Sequence, residues 1–248
     1  HAIFLDRDGV INKEIGHIKD PDELVLLDGV AKNIERINDK GYLAVVITNQ
    51  PVIARGNCSK KELRNIHNKL ETKIGEESAY IDGIFYCPHH PHSGYKGEVP
   101  ELKIKCNCRK PQIGLIKEAV EKMNISLKSS WFIGDTTTDI LTARNANIKS
   151  ILLRTGYCGT DNKFTIEPDY TFSNLNQAVS WILGEHSLIK KQAEKYLEDI
   201  INKRIIFIGG LARSGKSIWA QLIKEILVDN HQNPNLICLD SWLINESD

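Results

Sequence analysis

The sequence predicts an α/β fold in which helices cover both faces of a parallel, Rossmann-like sheet, followed by part of a second α/β unit. Three observations carry that expectation. Short apolar runs alternate with amphipathic stretches over residues 1–185, the pattern of strands buried between crossover helices. The first run ends in two aspartates, Asp6 and Asp8, followed by Gly9, so polar chemistry sits at a strand's C-terminal end, where open α/β sheets hold ligands. After a charged stretch, a new apolar run at 204–208 leads into a glycine-rich loop and restarts the alternation.

The elements follow in order. Strands are predicted over Ala2–Asp6, Tyr42–Thr48, Gly83–Cys87, Trp131–Gly134 and Ser150–Leu153. Helices are predicted over Val30–Asp39, Lys60–Ile74, Ile113–Met123, Thr138–Asn145 and Leu175–Leu183. Ser59 followed by Glu62 forms a capping box at the start of the second helix. Residues 186–203 read as a charged amphipathic connector helix, with Leu188, Ile189, Ala193, Leu197, Ile200 and Ile201 at helical spacing.

Composition narrows the function classes. The 248 residues allow one to two domains. The 32 basic and 32 acidic residues balance to zero, which gives no electrostatic case for a nucleic-acid or membrane partner. No apolar run approaches the roughly 20 residues of a membrane span. A cytoplasmic enzyme acting on a small molecule is the expectation. Of the six cysteines, Cys87, Cys106 and Cys108 crowd together with histidines, a pattern that favours metal binding over disulfides in such a protein.

Side chains at i and i+2 of a strand share a face, so Asp6 and Asp8 should leave the sheet together. Two adjacent carboxylates repel unless a cation or a proton lies between them, which suits a divalent metal, a nucleophile and a proton-transfer group in one place. Three further elements follow: Thr48-Asn49-Gln50 after a core strand, Arg109-Lys110-Pro111 before a helix, and Asp135-Thr136-Thr137-Thr138-Asp139 after another strand. Taken in this order, the four elements resemble the haloacid dehalogenase (HAD) superfamily, most of whose members are phosphatases.

That resemblance implies a mechanism. Asp6 attacks phosphorus to form an aspartyl-phosphate, and Asp8 protonates the leaving alkoxide and then activates water. Thr48 and Asn49 hold phosphate oxygens, and Lys110 neutralises charge on the phosphate and the nucleophile. Mg²⁺ lies among Asp6, the Asp8 backbone carbonyl and Asp135, with Asp139 close by. The short stretch between Asp8 and Thr48 is filled by two predicted elements, so a capless HAD fold is expected.

Cys87-Pro88-His89-His90-Pro91-His92 and Cys106-Asn107-Cys108 together offer the four N/S ligands of a tetrahedral zinc site, pinning the loop over about 87–108. Spacing alone leaves His89, His90 and His92 open. The Asp-Arg-Asp-Gly start, the Thr-Asn-Gln loop ending Ala54-Arg55-Gly56, Cys-Pro-His-His-Pro and Cys-x-Cys-Arg-Lys-Pro resemble the D-glycero-D-manno-heptose 1,7-bisphosphate 7-phosphatases over about 1–185. The histidinol-phosphate phosphatases are the nearest relatives of that group. The resemblance selects His89, giving Cys87, His89, Cys106 and Cys108 as zinc ligands. Pro51 and Val52 replace the usual Ser-Gly of the family's loop, which stiffens it. Arg55 and Arg109 are candidates for gripping the sugar phosphate, because guanidinium suits bidentate phosphate contacts.

The second unit, 204–248, carries Gly210-Leu211-Ala212-Arg213-Ser214-Gly215-Lys216-Ser217 after an apolar run. That is a P-loop, with Gly210 and Gly215 shaping the backbone cradle, Lys216 reaching nucleotide phosphates and Ser217 holding Mg²⁺. Asp240 follows a second predicted strand, Leu236–Leu239, where small-molecule kinases often activate the substrate hydroxyl. An ATP-dependent kinase domain is expected, of which these residues are the N-terminal part. A HAD phosphatase followed by a P-loop kinase also resembles the polynucleotide kinase 3′-phosphatases, which would make the protein a nucleic-acid end-healing enzyme. The neutral charge and the cysteine-rich loop favour the sugar phosphate. A third reading is a catalytically idle scaffold, against which the intact acidic and basic motifs stand.

Overall fold

The computed structural model describes residues 1–185, Lys191, Ile206, Ile208, residues 216–229 and Pro234. The chain forms two compact units, His1–Leu183 and Gly184–Asp248.

The first unit is a six-stranded parallel sheet. Its elements run β1 (Ala2–Leu5), α1 (Val30–Asp39), β2 (Leu43–Asn49), α2 (Lys60–Gly75), β3 (Gly83–Cys87), α3 (Gly114–Met123), β4 (Trp131–Gly134), α4 (Thr137–Asn145), β5 (Lys149–Leu153), β6 (Tyr170–Phe172) and α5 (Leu175–Ile182). The strand order is β3-β2-β1-β4-β5-β6. The order reverses between β1 and β4, and that switch point opens a crevice at the carboxyl ends of the strands.

Alternation along the strands sorts the core. Ala2, Phe4, Val45, Ile47 and Phe132 point to one face and pack with Leu115, Ile116 and Ala119 of α3 and Ala143 of α4. Ile3, Leu5, Val46 and Ile133, fully buried, point to the opposite face, which α1, α2 and α5 cover, with α1 packed against both of its neighbours. The expected capping box holds: Ser59 accepts from the Glu62 N–H, and Glu62 accepts from the Ser59 N–H at 2.6 Å.

The structure corrects several expectations. β1 stops at Leu5, so Asp6 lies just beyond the strand. The two-residue alternation therefore ends before Asp6, and the two carboxylates take different charged partners, Lys110 for Asp6 and Arg7 for Asp8. β6 was not anticipated; its three residues are too short to register as a periodic run. An aromatic cluster secures that edge: Tyr170 packs against Trp131 at 5.6 Å and Trp181 at 5.2 Å between ring centroids. Between β1 and β2 the only regular elements are a 3-10 turn at Pro21–Glu23 and α1, which leaves no inserted cap there.

In the second unit, α6 (Lys216–Asp229) is described, and Ile223 and Leu227 on it pack with Ile206, Ile208 and Trp219. The connector predicted at 186–203 (Lys191 apart), the P-loop glycines Gly210 and Gly215 and the strand leading to Asp240 lie outside the described residues.

Candidate active site and metal sites

The turn after β1 is built by Gly9. Its φ of +79° is left-handed, and a Cβ there would overlap the Asp135 carboxylate. Gly156, also left-handed at +56°, crowds the same carboxylate from the other side. Two glycines far apart in sequence thus form a backbone slot around Asp135, and the Tyr157 N–H donates into it, to Asp135 Oδ2 at 2.7 Å.

Around this slot the predicted residues separate into two groups. Lys110 Nζ lies 2.9 Å from Asp6 Oδ2 and 2.6 Å from Asp139 Oδ1, with Lys110 and Asp139 both deeply buried. Asp139 also closes a capping box on α4, accepting from the Thr136 N–H at 3.1 Å, and accepts from the Thr136 hydroxyl at 2.6 Å. Asp6, Asp135 and Asp139 bring carboxylate oxygens within 4.8 Å of one another. Burial pushes Asp6 up to about 7, reinforced by the Asp139 and Asp8 charges and opposed by Lys110. Burial likewise pushes Asp135 up to about 8, with the Asp139 and Asp6 charges adding. Lys110 is held above its ordinary value, because Asp139 and Asp6 outweigh its burial. Asp135 Oδ1 is buried without a hydrogen-bond partner. A cluster of three carboxylates facing one ammonium, with one oxygen left over, fits a hard divalent cation such as Mg²⁺.

Asp8 stands apart from this cluster. Its carboxylate accepts from Arg7 Nε at 3.1 Å and Nη2 at 2.8 and 2.9 Å, from Asn12 Nδ2 at 2.9 Å and from Gln50 Nε2 at 2.9 Å. Burial alone would raise its pKa, but Arg7, Asn12 and Gln50 together hold it below the usual value. The two aspartates thus have different side-chain ion-pair partners, Lys110 for Asp6 and Arg7 for Asp8.

Thr48 is buried at the end of β2 and accepts from Gln50 Nε2 at 3.0 Å. Asn49 has both amide atoms on the Lys110 backbone, accepting from its N–H at 3.0 Å and donating to its carbonyl at 3.2 Å. In this geometry Asn49 aims the Lys110 loop. Arg55 lies over the Tyr95 ring, 4.6 Å from its centroid, with Nη2 3.1 Å from His90 Nε2 and Nη1 against His17. Arg109 donates to the His89 carbonyl at 3.1 Å. Burial lowers the Arg109 pKa, opposed by the Cys87 thiol and aided by the Arg55 charge. An open cleft of about 490 Å³ adjoins Gly156 and Tyr157 and is also lined by Lys13, Glu14, Gly16 and Leu27.

Cys87, His89, Cys106 and Cys108 converge as the motif implied. Their sulfurs lie 3.2–3.5 Å apart, too far for any disulfide. His89 Nδ1 lies 3.2 Å from the Cys108 sulfur. His90 and His92 are outside this group. Burial and its cysteine neighbours push Cys87 up; burial also works against Cys106, but thiol and backbone donors leave it lowered. Three thiols and an imidazole within contact distance are the donor set of tetrahedral zinc.

Sequence reasoning missed Arg7, Asn12, Gln50, His67, Gly156 and Tyr157. The first three flank the motif residues, and their signal was a polar side chain embedded in an apolar, strand-end context. His67 and Tyr157 had no local signal.

Residues 107–178 match the HAD-hydrolase-like family model. The chain is 38% identical over 157 residues to the D-glycero-beta-D-manno-heptose-1,7-bisphosphate 7-phosphatase of Haemophilus ducreyi, covering 62% of this chain and 84% of that protein. It is 34% identical to the Salmonella typhi enzyme of the same name, covering 77% and 96%. Among solved structures it is similar to the D,D-heptose 1,7-bisphosphate phosphatase from B. bronchiseptica complexed with magnesium and phosphate, at 29% identity and a TM-score of 0.65, over 74% of this chain and 98% of that one. With that coverage added to the Asp6, Lys110 and Asp135 geometry, this chain belongs to the heptose-1,7-bisphosphate 7-phosphatase family of HAD phosphatases.

Proposed function

We propose that the first unit removes one phosphate from a heptose 1,7-bisphosphate through an aspartyl-phosphate on Asp6. The observation that carries this reading is the Lys110 ammonium bridging Asp6 and Asp139 beside Asp135, with Asp8 held separately. Asp6 Oδ attacks phosphorus and the P–O bond to the sugar breaks. The leaving oxygen takes a proton from Asp8. Water, deprotonated by Asp8, then attacks the phosphorus and returns Asp6 as a carboxylate with release of inorganic phosphate. Arg7, Asn12 and Gln50, which outweigh burial, favour the ionised form of Asp8 that the second half requires. A phosphate dianion entering beside it raises its proton affinity and supplies the protonated form that the first half needs.

Asp6, Asp135 and Asp139 would hold Mg²⁺, which when bound offsets charge on the phosphate oxygens. Arg55 and Arg109 are the side chains suited to the second phosphate, and the 490 Å³ cleft to the sugar hydroxyls. Cys87, His89, Cys106 and Cys108 would hold structural Zn²⁺. For the second unit we propose ATP binding at Gly210–Ser217, with Asp240 as the kinase base. The G-x-x-x-x-G-K-S pattern and the helix over Lys216–Asp229 support it, which would make the protein a bifunctional phosphatase-kinase.

The test is phosphate release with Mg²⁺ from heptose 1,7-bisphosphate, histidinol phosphate and a 3′-phosphorylated oligonucleotide. The bisphosphate is expected to react with kcat/KM at least tenfold above the others, and Asp6→Asn to abolish release. Preference for the oligonucleotide would recast the protein as an end-healing enzyme.

A further inference from the structure

Arg7 occupies a place that the phosphatase chemistry above does not explain. Among the described residues it is the largest fully buried side chain, 1% exposed, although it sits between two acidic catalytic residues. Its backbone N–H donates to Asp6 Oδ1 at 2.7 Å. Two of its three guanidinium nitrogens are spent on Asp8. The third, Nη1, faces His67 Nε2 at 3.4 Å in a buried contact. His67 lies on α2, 7% exposed, its ring edge-on to Tyr86 of β3 at 5.6 Å between centroids. Burial and the Arg7 charge keep the ring neutral, so with the proton on Nδ1 its Nε2 can accept from Arg7.

We propose that His67 is a positioning residue for the phosphoryl transfer: by accepting from Arg7 Nη1 it fixes the guanidinium plane, and that plane in turn aims the Asp8 carboxylate at the leaving oxygen. A guanidinium is a rigid fork, so constraining one nitrogen constrains the other two. Without an acceptor at 67, Arg7 keeps its charge pairing with Asp8 but loses the orientation of the pair, and a buried N–H is left unsatisfied. Small misplacements of a proton donor are costly in rate.

The inference rests on Asp8 acting as acid and base. The experiment compares kcat/KM, which ends at departure of the leaving group, for an alkyl phosphate and for p-nitrophenyl phosphate, whose leaving group departs without a proton. His67→Leu is expected to lower the alkyl value about tenfold or more and the aryl value less than twofold. His67→Gln, which keeps an acceptor, is expected to recover most of the loss. In an Arg7→Lys background, His67→Leu is expected to have no further effect, because the fork it acts through is gone. Equal loss on both substrates, or a Gln variant as impaired as Leu at matched melting temperature, would overturn the proposal. If His67→Leu fails to fold, His67→Met, which likewise offers Arg7 no nitrogen or oxygen acceptor, takes its place in both backgrounds. Asp8→Asn separates the two levels: if it shows no alkyl-selective loss, the acid–base reading itself fails, whereas alkyl-selective loss there with none at His67 rejects only the positioning role.

Discussion

At the scale of single residues, the site depends on a few charges held where burial opposes them. His67 shows how this links to stability. Its folded value is pushed down to about 3, against about 6.5 in an unfolded chain. Between those values the unfolded state binds the extra proton, so folding free energy is fully present above pH 6.5 and is lost as pH falls toward 3, by about 1.4 kcal/mol per unit. From pH 7 to pH 4 the denaturant midpoint of wild type should therefore fall relative to that of His67→Gln, the variant lacking this slope. Gly156 makes a sharper demand. With φ at +56° and the Asp135 carboxylate where a Cβ would go, Gly156→Ala should cost about 1–3 kcal/mol of stability and lower kcat at least tenfold, read from thermal melts and steady-state turnover.

At the scale of elements, the sheet places the chemistry and the cysteine loop trims it. β1, β2 and β4 end at the switch point, and Asp6, Thr48 and Asp135 come from those three ends. Lys110 arrives from a loop, aimed by Asn49. The backbone carbonyl of His89 holds Arg109, so the state of the cysteine site reaches the guanidinium directly. Cys106→Ser should release zinc, measured by atomic emission on the purified protein. With Arg109 in its proposed role on the second phosphate, the substitution should also raise KM for the bisphosphate several-fold while changing kcat less.

Much of this arrangement was legible before the structure. β3 and β4 and the acidic motifs could be read because apolar runs and turn residues bound them closely, and Cys87, Cys106 and Cys108 because their ligand types cluster; His89 was singled out from His90 and His92 only by the family resemblance. The partners of Asp8 were not legible. His67 lies about 60 residues from Arg7 on an amphipathic helix, where one histidine among polar neighbours carries no local mark, and only the packing of α2 against the β1 turn makes it a partner. β6 escaped because three residues cannot establish a period.

At the scale of the whole molecule, the two compact units let the two proposed activities be tested separately. The proposed phosphatase residues all fall within His1–Leu183, and the G-x-x-x-x-G-K-S pattern within Gly184–Asp248. Lys216→Ala should abolish any thermal shift produced by ATP while leaving phosphate release from the bisphosphate unchanged; loss of both would show that the second unit contributes to the first one's chemistry. Among the described residues, no helix is long and apolar enough to cross a membrane.

The aromatic edge around Tyr170 has an optical consequence. Of four tryptophans in the chain, Trp131 and Trp181 alone belong to the first unit. Both pack on the same tyrosine ring, and Trp181 is only 5% exposed. Light absorbed by Tyr170 can pass to either indole, and the emission of a buried indole moves to longer wavelength when water reaches it. The rim of the sheet carrying β6 is therefore a built-in fluorescent gauge. With Trp219 and Trp242 replaced by phenylalanine, the remaining signal would come from the phosphatase unit alone, allowing its unfolding to be followed without a label.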